Sequence, residues 1–336
     1  MSMITRSADR YASTTDLWVV TAYFNPAGFR SKRRNYDLFR ERIEAAGIPL
    51  VTVECALGDL PFELPPGPGV RRVRGGDILW QKERLLNVAI ASLPDACRKV
   101  AWLDADILFE NPDWAVATAA CLDDFPVAQP FDRAIRLPRG AIDDDGRGTS
   151  YQGFAAVYTS QPQRLLAGDF AAHGHTGFGW AARREVLAER GLYDACIAGS
   201  GDHMMAHAFC GDWTSGCVDR IIGSANRHRS AFADWCRAVY PRVRAKVGAV
   251  PGAVLHLWHG EVGDRRYVDR NRELAGFAFD PAADVRIGAG GCWEWSSDKP
   301  NLHRWAAEYF GRRREDGEDG MESRDGPYQP DCEFIQ

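Results

Sequence analysis

Two aspartates, Asp104 and Asp106, close a hydrophobic run in the segment KVAWLDADILFENPDW at positions 99 to 114. Val100, Ala101, Trp102 and Leu103 suit a buried strand, and ionised carboxylates at its end cost solvation unless something positive compensates them. Two apart on an extended backbone, both side chains project to one side, where their oxygens can share a hard divalent cation also held by phosphates and water. The plainer alternative is that either aspartate caps the next helix.

Other stretches carry residues of the same chemical interest. Lys82 and Arg84, in WQKERLLN, can assist a leaving phosphate or serve as exposed helix charges. In HTGFGW (175 to 180), Gly177 and Gly179 permit close backbone approach, and Trp180 supplies a flat apolar face for a sugar ring. A tight turn with a core tryptophan is the competing reading. His203 and His207 lie one helical turn apart in HMMAH, a spacing that can pair on a metal. Met204 stands where a metalloprotease carries its glutamate, so both are read as core or surface histidines.

The elements that must position these groups alternate. LWVVTAYF (17 to 24) reads as a buried strand, and NYDLFRERIEAAG (35 to 47) puts Tyr36, Phe39, Ile43 and Ala46 on one helical stripe before Gly47. IPLVTVEC is the next strand. A Pro/Gly-rich loop (60 to 69) leads to KERLLNVAIASLP, a helix stopped by Pro94, and then to the strand that ends in the aspartates. This βαβαβ order predicts a parallel sheet with helices on its faces. Further on, VAQPF (127 to 131) and GFAAVYTS (153 to 160) read as strands around a loop with the acidic tip Asp143 to Asp145, long enough to act as a lid. ARREVLAERG and GDHMMAHAFCG read as short helices, AVLHLWHG (253 to 260) as a strand and NLHRWAAEYF (301 to 310) as a closing helix.

The 336 residues are 45% hydrophobic and 26% charged, enough for a sizeable core. A net charge of -5 argues against general nucleic-acid or anionic-membrane binding, although RSKRR (30 to 34) and RRVR (71 to 74) leave local anion sites open. No apolar leader core and no membrane-length apolar run is present, so a cytoplasmic location is expected. Nine cysteines without a CxxC pair suggest neither a zinc ribbon nor a disulfide framework. The expected organisation is a flexible N-terminus at 1–15, one catalytic domain at 16–310 with halves at 16–115 and 116–310, and a charged, disordered tail at 311–336.

In order, VVTAYFN, WQKERLLN, VAWLDADILFENP, HTGFGWAARREVL, GLYDACIAGSGDHMM and LHLWHG resemble the GT-A glycosyltransferases, galactosyltransferase-like members above all, from about Leu17 to Tyr267. The resemblance implies an α/β, Rossmann-like, mostly parallel sheet flanked by helices, a nucleotide-diphosphate sugar donor, with UDP as the base-level expectation, and Mn²⁺ or Mg²⁺. It implies that Asp104 and Asp106 ligate the metal and contact the donor, and that Thr21, Ala22, Tyr23, Gln81, Lys82, Arg84 and Asn87 line the donor. Gly177, Phe178, Gly179, Trp180 and His203 fall in segments implied to meet the sugars. The resemblance also implies a further metal ligand from His256 or His259. Asp202, in GSGDH, matches the acidic residue beside the acceptor hydroxyl and is the candidate general base, with a helix cap as the alternative. The galactosyltransferase pattern has a longer acidic cluster there. A sugar nucleotidyltransferase and a non-catalytic nucleotide-sugar-binding protein are the other readings, and the acceptor is left open.

Overall fold

Apolar runs uninterrupted by polar residues become inner strands because both faces of a parallel sheet are covered. The computed structural model describes residues 16–166 and 172–317, so the N-terminus expected to be flexible and the tail from 318 onward lie outside the described residues. Two principal sheets are built from β1 (Leu17–Tyr23), β2 (Leu50–Leu57), β3 (Val70–Gly75), β4 (Lys99–Leu103), β5 (Ile107–Phe109), β6 (Val127–Gln129), β7 (Arg133–Arg136), β8 (Thr149–Gln152), β9 (Gly179–Arg183), β10 (Val247–Ala249) and β11 (Ala253–His256). The larger sheet has the order β10-β6-β9-β4-β1-β2-β3, and the smaller β5-β11-β7-β8. β1, β2, β3 and β4 run parallel, as does the β6–β10 pair, while β9 alone runs antiparallel between β4 and β6. This is the mostly parallel, helix-flanked sheet that the βαβαβ order predicts.

The helix Arg30–Ala45 buries Tyr36, Phe39 and Ile43, and the helix Lys82–Ala91 buries Leu85, Leu86, Ala89 and Ile90, the stripes the periodicity predicts. No helix among the described residues is long and apolar enough to cross a membrane.

Three local readings are corrected, and RRVR, given no element by the sequence, gains one. GFAAVYTS is the helix Phe154–Ser160 rather than a strand, and its start is fixed by a distant residue, since the Ala155 amide donates to Gln129 Oε1 at 3.0 Å. HTGFGW runs into strand β9, not directly into a helix. RRVR belongs to edge strand β3, with Val73 inward and its arginines outward. The closing helix extends over Pro300–Arg312, and the chain stays ordered past the expected boundary at 310, with Arg313 and Glu315 buried. The helix Arg227–Val243 has no counterpart in the sequence reading.

Candidate functional site

In an open α/β sheet, ligands bind beyond the carboxyl ends of the strands, and here the ends of β1 and β4 open into a cavity of about 360 Å³. Its wall is held by unusual backbone. Phe178 and Ser200 take φ of 78° and 74°, the left-handed region that non-glycine residues enter only where the surroundings impose it. From that conformation the Phe178 carbonyl accepts the Asp104 amide at 2.9 Å, tying the HTGFGW segment to the end of β4.

The chain turns at Ala105 and Asp106, so the strand does not continue through both aspartates, and their carboxylates take different partners. Asp106 turns to the second sheet. Antiparallel pairing sets His256 opposite Ile107, and the Leu257 amide donates to the Asp106 carbonyl at 2.8 Å. Asp106 Oδ2 consequently lies 3.0 Å from His259 Nε2, Asp106 Oδ1 lies 3.9 Å from His256 Nε2, and the two Nε2 atoms are 3.0 Å apart. Burial opposes ionisation of Asp106, yet His259, which also hydrogen-bonds it, and Lys32 outweigh it and hold the carboxyl below the usual range. Burial keeps His256 neutral, the form that ligates. Asp106 Oδ1 is buried without a hydrogen-bond partner. One ionised carboxylate and two imidazoles with an orphaned oxygen fit a divalent cation.

Glu315, fully buried, braces this group: its Oε1 lies 3.5 Å from His259 Nδ1 and accepts from Arg313 Nε at 2.5 Å. A carboxylate behind a metal-ligating imidazole fixes ring orientation, and its loss typically costs 10- to 100-fold in metal affinity. Glu315→Gln is therefore expected to weaken Mn²⁺ binding by roughly tenfold or more in calorimetry; an unchanged affinity would remove Glu315 from the site.

Asp104 makes a different contact. Lys82 Nζ stands between Asp104 Oδ1 at 2.5 Å and Asp202 Oδ2 at 2.6 Å. Burial works against the Lys82 charge, but Asp104 and Asp202 outweigh it and keep the ammonium protonated. Burial raises the Asp202 carboxyl, with Lys82 opposing the rise. Asp202 is no helix cap: Ser200 occupies the N-cap of the helix Gly201–Phe209, and the Asp202 carboxylate is spent on Lys82. Beside them burial pushes Glu83 up to about 8.

Ala22, Tyr23, Lys82, Asp104, Asp106, Gly177, Phe178, Asp202, His203, His256 and His259 all line the cavity. The other residues expected there are engaged elsewhere. Thr21 Oγ1 donates to the Leu103 carbonyl at 2.8 Å, stitching β1 to β4. Gln81 is clamped to the backbone of Trp293 through both ends of its amide. Gly179 and Trp180 are strand residues: a Cβ at 179 would meet Leu103 Cδ2 at 2.5 Å, and Trp180 pairs with Trp102 across β4–β9 in the core. Arg84 and Asn87 both bond Asp194 Oδ2 at 2.9 Å. Arg84→Ala leaves that carboxylate, largely buried, without its cation, so it is expected to cost about 1–3 kcal/mol of stability while donor affinity holds. A loss of donor affinity without a fall in melting temperature would return Arg84 to the donor site.

Sequence reasoning missed a set of arginines. Arg136, Arg265, Arg270 and Arg313 line the same cavity, together with Lys32 from the RSKRR run that was left open as an anion site. Burial opposes ionisation of Tyr267, but Arg265, Arg136 and Arg270 outweigh it and bring the phenol down to about 7. Arg265 Nη2 lies 3.0 Å from His259 Nε2, and Arg270 Nη2 donates to Ser200 Oγ at 2.9 Å. For the arginines the sequence signal was the basic and aromatic run DRRYVDR (264 to 270).

No family model and no curated protein matches this chain. Solved structures similar to it include the catalytic domain of Drosophila β1,4-galactosyltransferase 7 in complex with xylobiose, at 10% identity and a TM-score of 0.37 over 86% of this chain and 98% of that one. A mutant of the same enzyme in complex with manganese, UDP-Gal and xylobiose matches at 10% identity and 0.37 over 87% and 99%. The 4-diphosphocytidyl-2C-methyl-D-erythritol synthase of Anaerococcus prevotii matches at 12% identity and 0.33 over 72% and 89%.

Proposed function

We propose that this protein is a cytoplasmic, metal-dependent glycosyltransferase that moves a sugar from a nucleoside diphosphate, UDP in the first instance, to a hydroxyl acceptor. One observation carries the reading: the group Asp106, His256 and His259 shares a strand-end cavity with the Asp104–Lys82–Asp202 bridge and a rim of buried arginines. Asp106, His256 and His259 would hold Mn²⁺ or Mg²⁺, which when bound supplies Lewis-acid stabilisation of the leaving diphosphate. Arg265 and Arg270 offer fixed positive charge to the same phosphates. Phe178 and Tyr23 supply apolar walls against which sugar and base pack. As the acceptor oxygen bonds to the anomeric carbon and the bond to the diphosphate breaks, the hydroxyl proton passes to an Asp202 oxygen, a single displacement with inversion. Lys82 keeps Asp202 ionised until then.

A sugar nucleotidyltransferase would use similar metal chemistry but release pyrophosphate. Such enzymes cradle phosphate on a glycine-rich loop after the first strand, whereas here Asn25 closes that loop on itself through Phe29 N and O, at 2.9 and 3.0 Å. The test is a thermal-shift screen of nucleotide sugars with and without Mn²⁺, followed by product analysis with candidate acceptors. A ligand that binds only the native state raises the melting temperature by mass action, so UDP-sugars with Mn²⁺ are expected to stabilise and then yield UDP. Pyrophosphate release from sugar phosphate and nucleoside triphosphate would establish the alternative; stabilisation with no turnover on any acceptor or water would indicate a binding protein.

A further inference from the structure

We infer that the chain carries a second metal site, closed and structural, in which His173, His203, His207 and Cys217 bind one Zn²⁺ ion behind the Asp202 side of the cavity. The four ligand atoms lie within 4.8 Å of one another, and all four residues are buried, His207 and Cys217 completely. They come from three segments: the stretch leading into HTGFGW, the helix Gly201–Phe209 and the helix Gly216–Ile222. His203 and His207 are four apart and so share a helical face, with ring centroids 4.7 Å apart. The His173 ring stands 4.9 Å from one and 5.3 Å from the other. A tetrahedral zinc with nitrogen at ~2.0–2.1 Å and sulfur at ~2.3 Å separates its ligand atoms by roughly 3.3–3.7 Å. Small rotations of side chains already in place reach that geometry.

The surroundings are those of a metal ligand set. His207 Nδ1 lies 2.9 Å from Asp212 Oδ2 and 3.3 Å from Ser215 Oγ, which turns Nε2 inward, and that Nε2 is buried without a hydrogen-bond partner. Buried imidazole nitrogens are normally satisfied, and a carboxylate on the far nitrogen is the usual support of a metal-bound histidine. His173 Nδ1 lies 2.8 Å from the Gly174 carbonyl, the other common support. Three imidazoles and a thiolate select zinc over the oxygen-seeking Mn²⁺ and Mg²⁺, so this site and the Asp106 group take different ions. Four protein ligands leave no open position, which makes the ion structural. Its place gives it a function: His203 follows Asp202 directly, and His173 precedes the segment that carries Gly177 and Phe178. The ion pins the general base and the sugar-facing loop to each other without touching substrate.

The site stands on its own residues and is tested without assuming any reaction. Untagged full-length protein, purified without added metal, is expected to hold one equivalent of zinc by mass spectrometry, retained in Asp106→Asn and lost in His207→Ala and Cys217→Ser. After chelator removal, Co²⁺ alone is expected to restore both the melting temperature and an absorption spectrum with tetrahedral d–d bands and a sulfur-to-cobalt charge-transfer band. Cys217→Ser should erase that charge-transfer band; if the variant does not fold, the wild-type cobalt spectrum decides. Substoichiometric zinc with no thiolate–cobalt band would overturn the site, as would zinc lost in Asp106→Asn and kept in Cys217→Ser.

Discussion

Asp202→Asn is expected to lower turnover by roughly a hundredfold to ten-thousandfold while donor and metal affinity stay near wild type. Asparagine keeps the shape of the side chain but takes no proton, and Asp202 lies on the far side of Lys82 from Asp104, away from the His256–His259 group. The effect should fall on kcat rather than on the donor KM. The pH profile adds a signature that a structural role would not produce. A base acts only when ionised, so the wild-type rate should fall as pH drops through the Asp202 pKa, which burial raises; the variant should lose that acidic limb. Stability moves the opposite way. A carboxyl with a folded pKa above its unfolded value binds its proton more tightly in the native state, so the folded protein loses stability as pH rises from about 3.9 through the raised pKa. Removing the carboxylate removes that loss, and Asp202→Asn should be no less stable than wild type at neutral pH. Wild-type turnover with a true acceptor would defeat the assignment.

What the sequence disclosed followed the range of the information each feature needs. Strands and amphipathic stripes are local, and β1, β2, β4 and the helix Lys82–Ala91 were legible from periodicity alone. Within that helix the sites were not. Residues 81, 84 and 87 recur every three positions and so share a face, which tertiary packing turns toward Trp293 and Asp194, while Lys82, about 100° around the helix, faces the cavity. The aspartate pair misled for a related reason: the two-residue spacing implies one side only while the backbone stays extended, and the chain turns at Ala105. β9 was missed because GWAAR takes its identity from the strands on both flanks, and GFAAVYTS became a helix through a distant glutamine. The arginine rim was legible only in the run DRRYVDR, which holds Arg265 and Arg270. Arg136 and Arg313 lie on separate segments, and Arg265, Arg270 and Arg313 look like solvated charges until the fold buries them against Tyr267 and Tyr309.

The sharpest division the structure draws is between the two aspartates, and Asp106→Asn is expected to reduce Mn²⁺ affinity by roughly a hundredfold or more, taking metal-dependent donor binding with it. Loss of an outer support of a metal ligand already costs 10- to 100-fold, and Asp106 is the carboxylate that meets the Nε2 atoms of His256 and His259, whereas Glu315 meets His259 only at Nδ1. Asparagine keeps one carbonyl oxygen but removes the negative charge that draws a dication out of water. Asp104→Asn takes a charge from Lys82 instead, which retains Asp202, so its effect on Mn²⁺ affinity should be at least about tenfold smaller, with its main consequence in turnover. The histidines should follow Asp106: both Nε2 atoms point at the same space, so His256→Ala and His259→Ala should each weaken the metal, rather than one alone. Calorimetric titration of Mn²⁺ into the four variants, with circular dichroism to show the fold intact, gives the ranking. Equal losses from Asp104→Asn and Asp106→Asn would mean that the bound ion recruits both carboxylates and breaks the Lys82 bridge. Wild-type Mn²⁺ affinity in Asp106→Asn would remove the metal from this end of the sheet, and the glycosyltransferase reading would lose its leaving-group chemistry with it.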